Sequence, residues 1–227
     1  MQVTAQNRSG SSAKSPVTLV SYDTGPPNPP LHLMTKMESD GLVSLSWQQP
    51  EGEIPSAYLV YRSDHPFTDT QEPTCITPEP TTALNFNDVP PSDGLYYYAV
   101  TAVDRAGNES KLSILVSAFS DKEGPALEQI TYIPEGDYVP GTNRFGPGRV
   151  NVSLKFSENL SRPPSLSIRL SDGDIIPVHA VPAGSGKYNG YFEIHATNKS
   201  GQATWQYSGI DWAGNRSSLI EVDPHIE

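Results

Sequence analysis

Three stretches of this chain spell variants of one turn, and their spacing limits what the chain can fold into. Val100-Thr-Ala-Val-Asp-Arg-Ala-Gly-Asn-Glu-Ser110 returns as Tyr207-Ser-Gly-Ile-Asp-Trp-Ala-Gly-Asn-Arg-Ser217, and an earlier cousin stands at Val3-Thr-Ala-Gln-Asn-Arg-Ser-Gly-Ser-Ser12. From Asn7 to Asp104 is 97 residues and from Asp104 to Asp211 is 107, the length of a small β-sandwich and too long for a solenoid repeat. Each copy reads as a strand with alternating faces that enters a tight turn and comes back. Asp104 and Asp211 are placed to accept backbone N–H groups, and Gly107-Asn108 and Gly214-Asn215 offer positions tolerant of positive φ. The spacing predicts three units: residues 1–25 as the last hairpin of a preceding sandwich, then 26–124, then 125–227.

Many turns and no helical period point to an all-β chain: Pro 22 and Gly 18 stand against 36% hydrophobic residues. The formal net charge of −11 excludes nucleic acid and anionic membrane surfaces as partners, which need a basic stripe. No apolar run approaches membrane-spanning length, so no insertion is expected. The single cysteine, Cys75, cannot form an internal disulfide, so packing alone must hold the sandwiches. Sequons at Asn7, Asn108, Asn151, Asn159, Asn198 and Asn215 are discounted where they fall in the repeated turn. The balance predicts a bacterial extracellular or cell-surface protein. Met1 opens directly into strand-like sequence, which suggests a removed signal or an excised piece of a longer chain.

In the middle unit, Val43, Leu45 and Trp47 alternate with serines, and Tyr58, Val60 and Arg62 alternate with Leu59 and Tyr61. Tyr96, Tyr98, Val100 and Ala102 share one face of the strand entering the turn, and Leu112, Ile114 and Val116 begin the return strand. Trp47 ahead of Pro50, Tyr58-x-Val60-Tyr61, and Tyr96-x-Tyr-x-Val-x-Ala102 before a Gly-containing turn resemble a fibronectin type III domain over about 26–124. The resemblance implies two antiparallel sheets, Trp47 in the core, and a Tyr96 hydroxyl bonded back to the preceding corner. The Arg-Gly-Asp of integrin-binding members is replaced here by Arg105-Ala-Gly-Asn108, so that activity is not implied. In the last unit Val150, Val152, Leu154 and Phe156 form a clean one-face pattern, and Ser171-Asp-Gly-Asp174 signals a hairpin. With its closing Asp211-x-Ala-Gly-Asn215, this unit is similar to bacterial Ig-like domains found in tandem. The fold expected is therefore tandem antiparallel β-sandwiches, fibronectin type III-like and Ig-like, joined by short Pro-rich linkers.

Catalytic chemistry is hard to place. His32, His65, His179, His195 and His225 are far apart in sequence, and Gly184-Ser-Gly-Lys187 lacks both the leading Gly and the following Ser/Thr of a phosphate loop. Cys75 reads as a small buried residue. No cofactor is expected. Any Ca²⁺ would sit at the acidic joints, Asp23, Asp121, Glu123 and Asp223, but each joint holds only one or two carboxylates. The variable tip of the repeated turn carries Arg8, Arg105 and Trp212, and these are the contact candidates, Trp212 foremost because an exposed Trp can stack on sugars or anchor an interface. The sequence thus predicts a non-catalytic spacer or adhesion segment whose partners are neighbouring domains and a cell-surface glycan or protein. Two alternatives stand beside it: an accessory carbohydrate-binding module of a polysaccharide-degrading enzyme, and a subunit of a head-to-tail filament assembled through residues 1–25.

Overall fold

A computed structural model of the protein describes residues 6–11, 14 and 25–217. Expectations placed on Asp23, Asp223, His225, and most of the first 25 residues lie outside the described residues. The protein is all-β, with one 3₁₀ turn at Ser39–Gly41.

Two short strands, β1 (Gln6–Asn7) and β2 (Gly10–Ser11), pair antiparallel around an exposed Arg8. Seven strands follow: β3 (Leu31–Met37), β4 (Val43–Gln48), β5 (Ala57–Ser63), β6 (Thr74–Cys75), β7 (Asn85–Asp88), β8 (Gly94–Val103) and β9 (Val116–Ser120). They form sheets ordered β3-β4-β7 and β6-β5-β8-β9. Period-two patterning puts Val43, Leu45 and Trp47 from one sheet against Tyr58, Val60, Tyr98 and Val100 from the other, all buried. At about 1.5–3 kcal/mol for each large apolar side chain buried, this layer dominates the stability.

Strand β5 departs from simple alternation because its outer face is covered too. Tyr61 is buried there with Phe67 and Ala99, while Cys75, half-buried, packs at their edge. The return strand also begins later than the sequence suggests. After a single bridge between Val103 and Glu109, residues 110–115 run as irregular backbone, and Ile114 is exposed. The serine side chains explain it: Ser110 Oγ accepts the Ala102 amide (2.9 Å) and Ser113 Oγ accepts that of Val100 (3.0 Å), occupying donors that a regular ladder would use.

The second set is β10 (Leu127–Pro134), β11 (Tyr138–Val139), β12 (Arg144–Phe145), β13 (Gly148–Phe156), β14 (Ser165–Leu170), β15 (Ile175–Pro177), β16 (His179–Gly184), β17 (Lys187–Ile194) and β18 (Ala203–Ser208). Sheets β10-β13-β17-β16 and β15-β14-β18 pack face to face, and β11-β12 makes a separate hairpin. Val150, Val152, Leu154, Phe156, Phe192, Trp205 and Tyr207 fill the space between. The two cores share no residue. They differ in wiring as well as in place: the short strand β6 joins the sheet containing the repeat strand β8, whereas β16 joins the sheet opposite the repeat strand β18. Their tryptophans differ too. Trp205 donates its indole N–H to Tyr132 Oη (2.8 Å), while the buried Trp47 Nε1 has no partner among the described residues, an omission that costs about 1–3 kcal/mol.

Candidate functional site

The repeated turns carry the features that set this chain apart, and both are built by one carboxylate. In the first, Asp104 Oδ1 accepts the amides of Ala106 (2.7 Å) and Asn108 (2.9 Å), and Oδ2 accepts Asn108 Nδ2 (2.8 Å). In the second, Asp211 Oδ1 accepts the amides of Gly214 (2.6 Å) and Asn215 (2.9 Å), and Oδ2 accepts Asn215 Nδ2 (2.8 Å). Gly107 and Gly214 hold φ of 88° and 96°, where a side chain would be strained. Asn108 and Asn215 are not at positive φ; the motif uses their side-chain amides instead. Ser110 and Ser217 complete the pattern, each Oγ accepting the amide of the residue two before the Asp partner, at Ala102 and Gly209.

Burial alone would push the Asp104 carboxyl up. The bonds from Asn108 and from the Ala106 and Gly107 amides outweigh it and hold the group below the usual carboxylate range. Its cover is thin, consisting of the turn itself, and Arg105, Ala106 and Gly107 are exposed around it.

The second turn goes further, because it is docked. Asn215 Oδ1 accepts the Asp40 amide (2.7 Å), and Asn215 Nδ2 reaches Asp121 O (3.0 Å) as well as Asp211. One side-chain amide thus ties the turn to the Ser39–Gly41 corner and to the chain leaving β9. Ala213 and Asn215 are 7% and 5% exposed, whereas Ala106 is exposed and Asn108 half-buried. Gly124 lies so close to the backbone of Arg216 and Ser217 that a Cβ would meet carbonyl and amide atoms within 3 Å. The linker is thereby pressed against the turn. Ser120 Oγ donates to Gly41 O (2.9 Å) and Lys122 Nζ to Pro90 O (2.8 Å), fixing the same end of the first half.

At this joint Asp121, Glu158 and Asp211 bring carboxylate oxygens within 4.8 Å of one another. Burial and the charges of Asp121 and Asp211 push the Glu158 carboxyl up to about 7. Asp121 is also raised, by burial first and then by Asp211, Asp93 and Glu123 against a lowering bond from the Glu123 amide. Ca²⁺ takes six to eight oxygens, and both Asp211 oxygens here already accept amide donors. Glu123 is exposed and contributes its amide to Asp121 Oδ1 (3.2 Å) in place of a ligand oxygen. The trio was not legible beforehand, since Glu158 stands alone in sequence and reaches the joint only through the fold.

The other sequence candidates fall apart from one another. Tyr96 donates its hydroxyl to Ser92 O (3.1 Å) at the corner before β8. Trp47 is in the first core. Gly184 and Gly186 form the β16–β17 turn at φ of 128° and 64°. His179 and His195 line one open cavity of about 410 Å³ with Asp174 and Glu193, all from the second half. Ser63 and Asp64 surround His65, but both meet the same nitrogen, Nδ1, at 3.1 and 2.7 Å. A proton relay needs nucleophile and carboxylate on opposite ring nitrogens. Trp212 is 71% exposed at the tip of the docked turn, and Arg105 is exposed at the tip of the other.

No family model matches the sequence, and no curated protein matches it. Among solved structures, the FN1–FN3 domains of chicken CNTN1 align over 98% of this chain and 76% of that chain, with 13% identity and a TM-score of 0.41. The all-β sandwich architecture stands on the sheets and cores themselves.

Proposed function

We propose that this chain is a non-catalytic segment of a bacterial surface or secreted protein, in which a fibronectin type III-like sandwich (26–124) and an Ig-like sandwich (125–227) hold and space neighbouring domains. The fourth strand β16 in the sheet opposite the repeat strand, which the first half lacks, supports an Ig-like label for the second half. The observation that carries the reading is the Asn215 bridge to Asp40 and Asp121. A spacer works only if consecutive modules keep their mutual angle, and a buried amide satisfied on both sides does this where a bare linker does not.

The test is small-angle scattering combined with residual dipolar couplings on the chain and on Asn215→Ala. The wild type behaves as one aligned body. In the variant, each half keeps its own fold while the two alignment tensors diverge. Independent tensors in the wild type would remove the basis for the spacer reading.

A further inference from the structure

Trp212 has no structural task in the turn it tips. The turn's hydrogen bonds come from Asp211, Gly214, Asn215 and Ser217, and its equivalent position in the first copy is Arg105. Yet Trp212 is the most exposed large aromatic side chain described, at 71%, and large apolar area left in water signals contact more often than accident.

It does not stand alone. Trp212 forms one wall of an open groove of about 410 Å³ whose other walls are the 159–163 segment and the β16–β17 hairpin. Both of these walls are fixed. Ser161 N and Oγ donate to Ile210 O at 2.8 and 3.0 Å, two residues before Trp212. Phe156 N donates to Gly186 O (2.8 Å), and Gly186 sits so close to Glu158 O that no side chain would fit there. Pro163 and Pro182 line the groove without offering amide N–H groups. Asn159 and Arg162, both exposed, line the same space, and neither makes a side-chain hydrogen bond or ion pair among the described residues.

We infer that the groove between Trp212, Asn159 and Arg162 binds a neutral glycan, with one pyranose ring stacked on the Trp212 indole. A pyranose presents a flat C–H face edged by hydroxyls. The groove presents a flat indole edged by an amide and a guanidinium, so both parts of the sugar find a partner. Charge selects among sugars. The chain carries a formal −11, and Glu158 and Asp211 are the sequence neighbours of Asn159 and Trp212, so uronic or sulfated polymers are disfavoured. The openness of the groove favours a glycan over a protein partner, since a protein hot spot is ringed by contacts that exclude water and Trp212 has polar, solvated neighbours.

The three tryptophans give a direct readout, because Trp47 and Trp205 are 4% and 0% exposed and only Trp212 faces solvent. The full chain is screened against insoluble cellulose, chitin, xylan, β-1,3-glucan and starch, and the hexasaccharide of any that retains it is titrated by calorimetry and tryptophan fluorescence. Binding with a blue-shifted emission is expected. Trp212→Ala weakens it by about tenfold or more, Trp212→Tyr by less, and Arg162→Ala by a few-fold. Circular dichroism of each variant matches the wild type, since the side chain is exposed. Failure of every neutral polymer to bind at millimolar hexasaccharide overturns the inference. So does binding that survives Trp212→Ala, and so does Trp212-dependent capture of a protein with no glycan bound. The scattering test of the joint is independent of all of these, because Trp212→Ala leaves Asn215 in place.

Discussion

The two copies of the turn are wired alike inside and differently outside. Asp104 and Asp211 each hold the Asn four residues on by both its amide and its side chain, and differ inside the turn only in the further amide, two residues on at Ala106 and three at Gly214. What separates them is cover. The first turn stands with its Ala106 in solvent, and the second is closed over by the Ser39–Gly41 corner and the chain near Asp121. The comparison teaches that a self-sufficient turn becomes a joint by turning one spare acceptor and one spare donor of its Asn toward a neighbour. No change in the motif was needed.

The largest effect expected from this difference is on the carboxylates. Asp211→Ala strands the Gly214 and Asn215 amides and Asn215 Nδ2 in a covered site and costs about 3–5 kcal/mol in denaturant unfolding. Asp104→Ala costs less, because water reaches the amides it exposes. Equal losses would mean that cover contributes nothing. Next comes Asn215→Ala, which leaves the Asp40 amide without its acceptor and costs about 2 kcal/mol, read as a lower midpoint with an unchanged slope for the separate unfolding of each half.

Acidity gives a third way to pull the turns apart, with opposite signs. The Asp104 carboxyl is lowered on folding, so its contribution is complete above its ordinary value of 3.8 and is lost as pH falls through the folded value. Glu158 is raised from 4.5 to about 7, so the folded state binds the extra proton. Its contribution is complete below 4.5 and is lost as pH rises toward 7. Thermal unfolding followed from pH 3 to 8 therefore weakens the first turn at the acid end and the joint at the neutral end. Glu158→Gln flattens only the neutral slope, and carboxyl-carbon NMR titration of Glu158 checks its midpoint. The smallest effects belong to the tips. Arg105→Ala and Trp212→Ala change stability by no more than about 0.5 kcal/mol.

Much of this was legible in the sequence, for reasons that are local. Alternation in Val43–Trp47 and Val150–Phe156 fixes which face is buried, and a strand needs no distant information to show it. The Asp-x-Ala-Gly-Asn turn is equally local, since its bonds span no more than four residues. The late start of β9 was not visible, because Leu112, Ile114 and Val116 alternate correctly while Ser110 and Ser113 quietly take the strand's donors. The joint was least visible of all. Asn215 bonds Asp40 across 175 residues, and nothing in the wording of the turn distinguishes it from Asn108, which closes the first copy.

The close approach of Gly124 to Arg216 and Ser217 has a consequence for anyone who would lengthen this protein. Splicing extra residues into the segment between Asp121 and Ala126 would not add reach. It would lift the glycine off its seat, free Asn215 from two anchors at once, and turn a fixed elbow into a swivel.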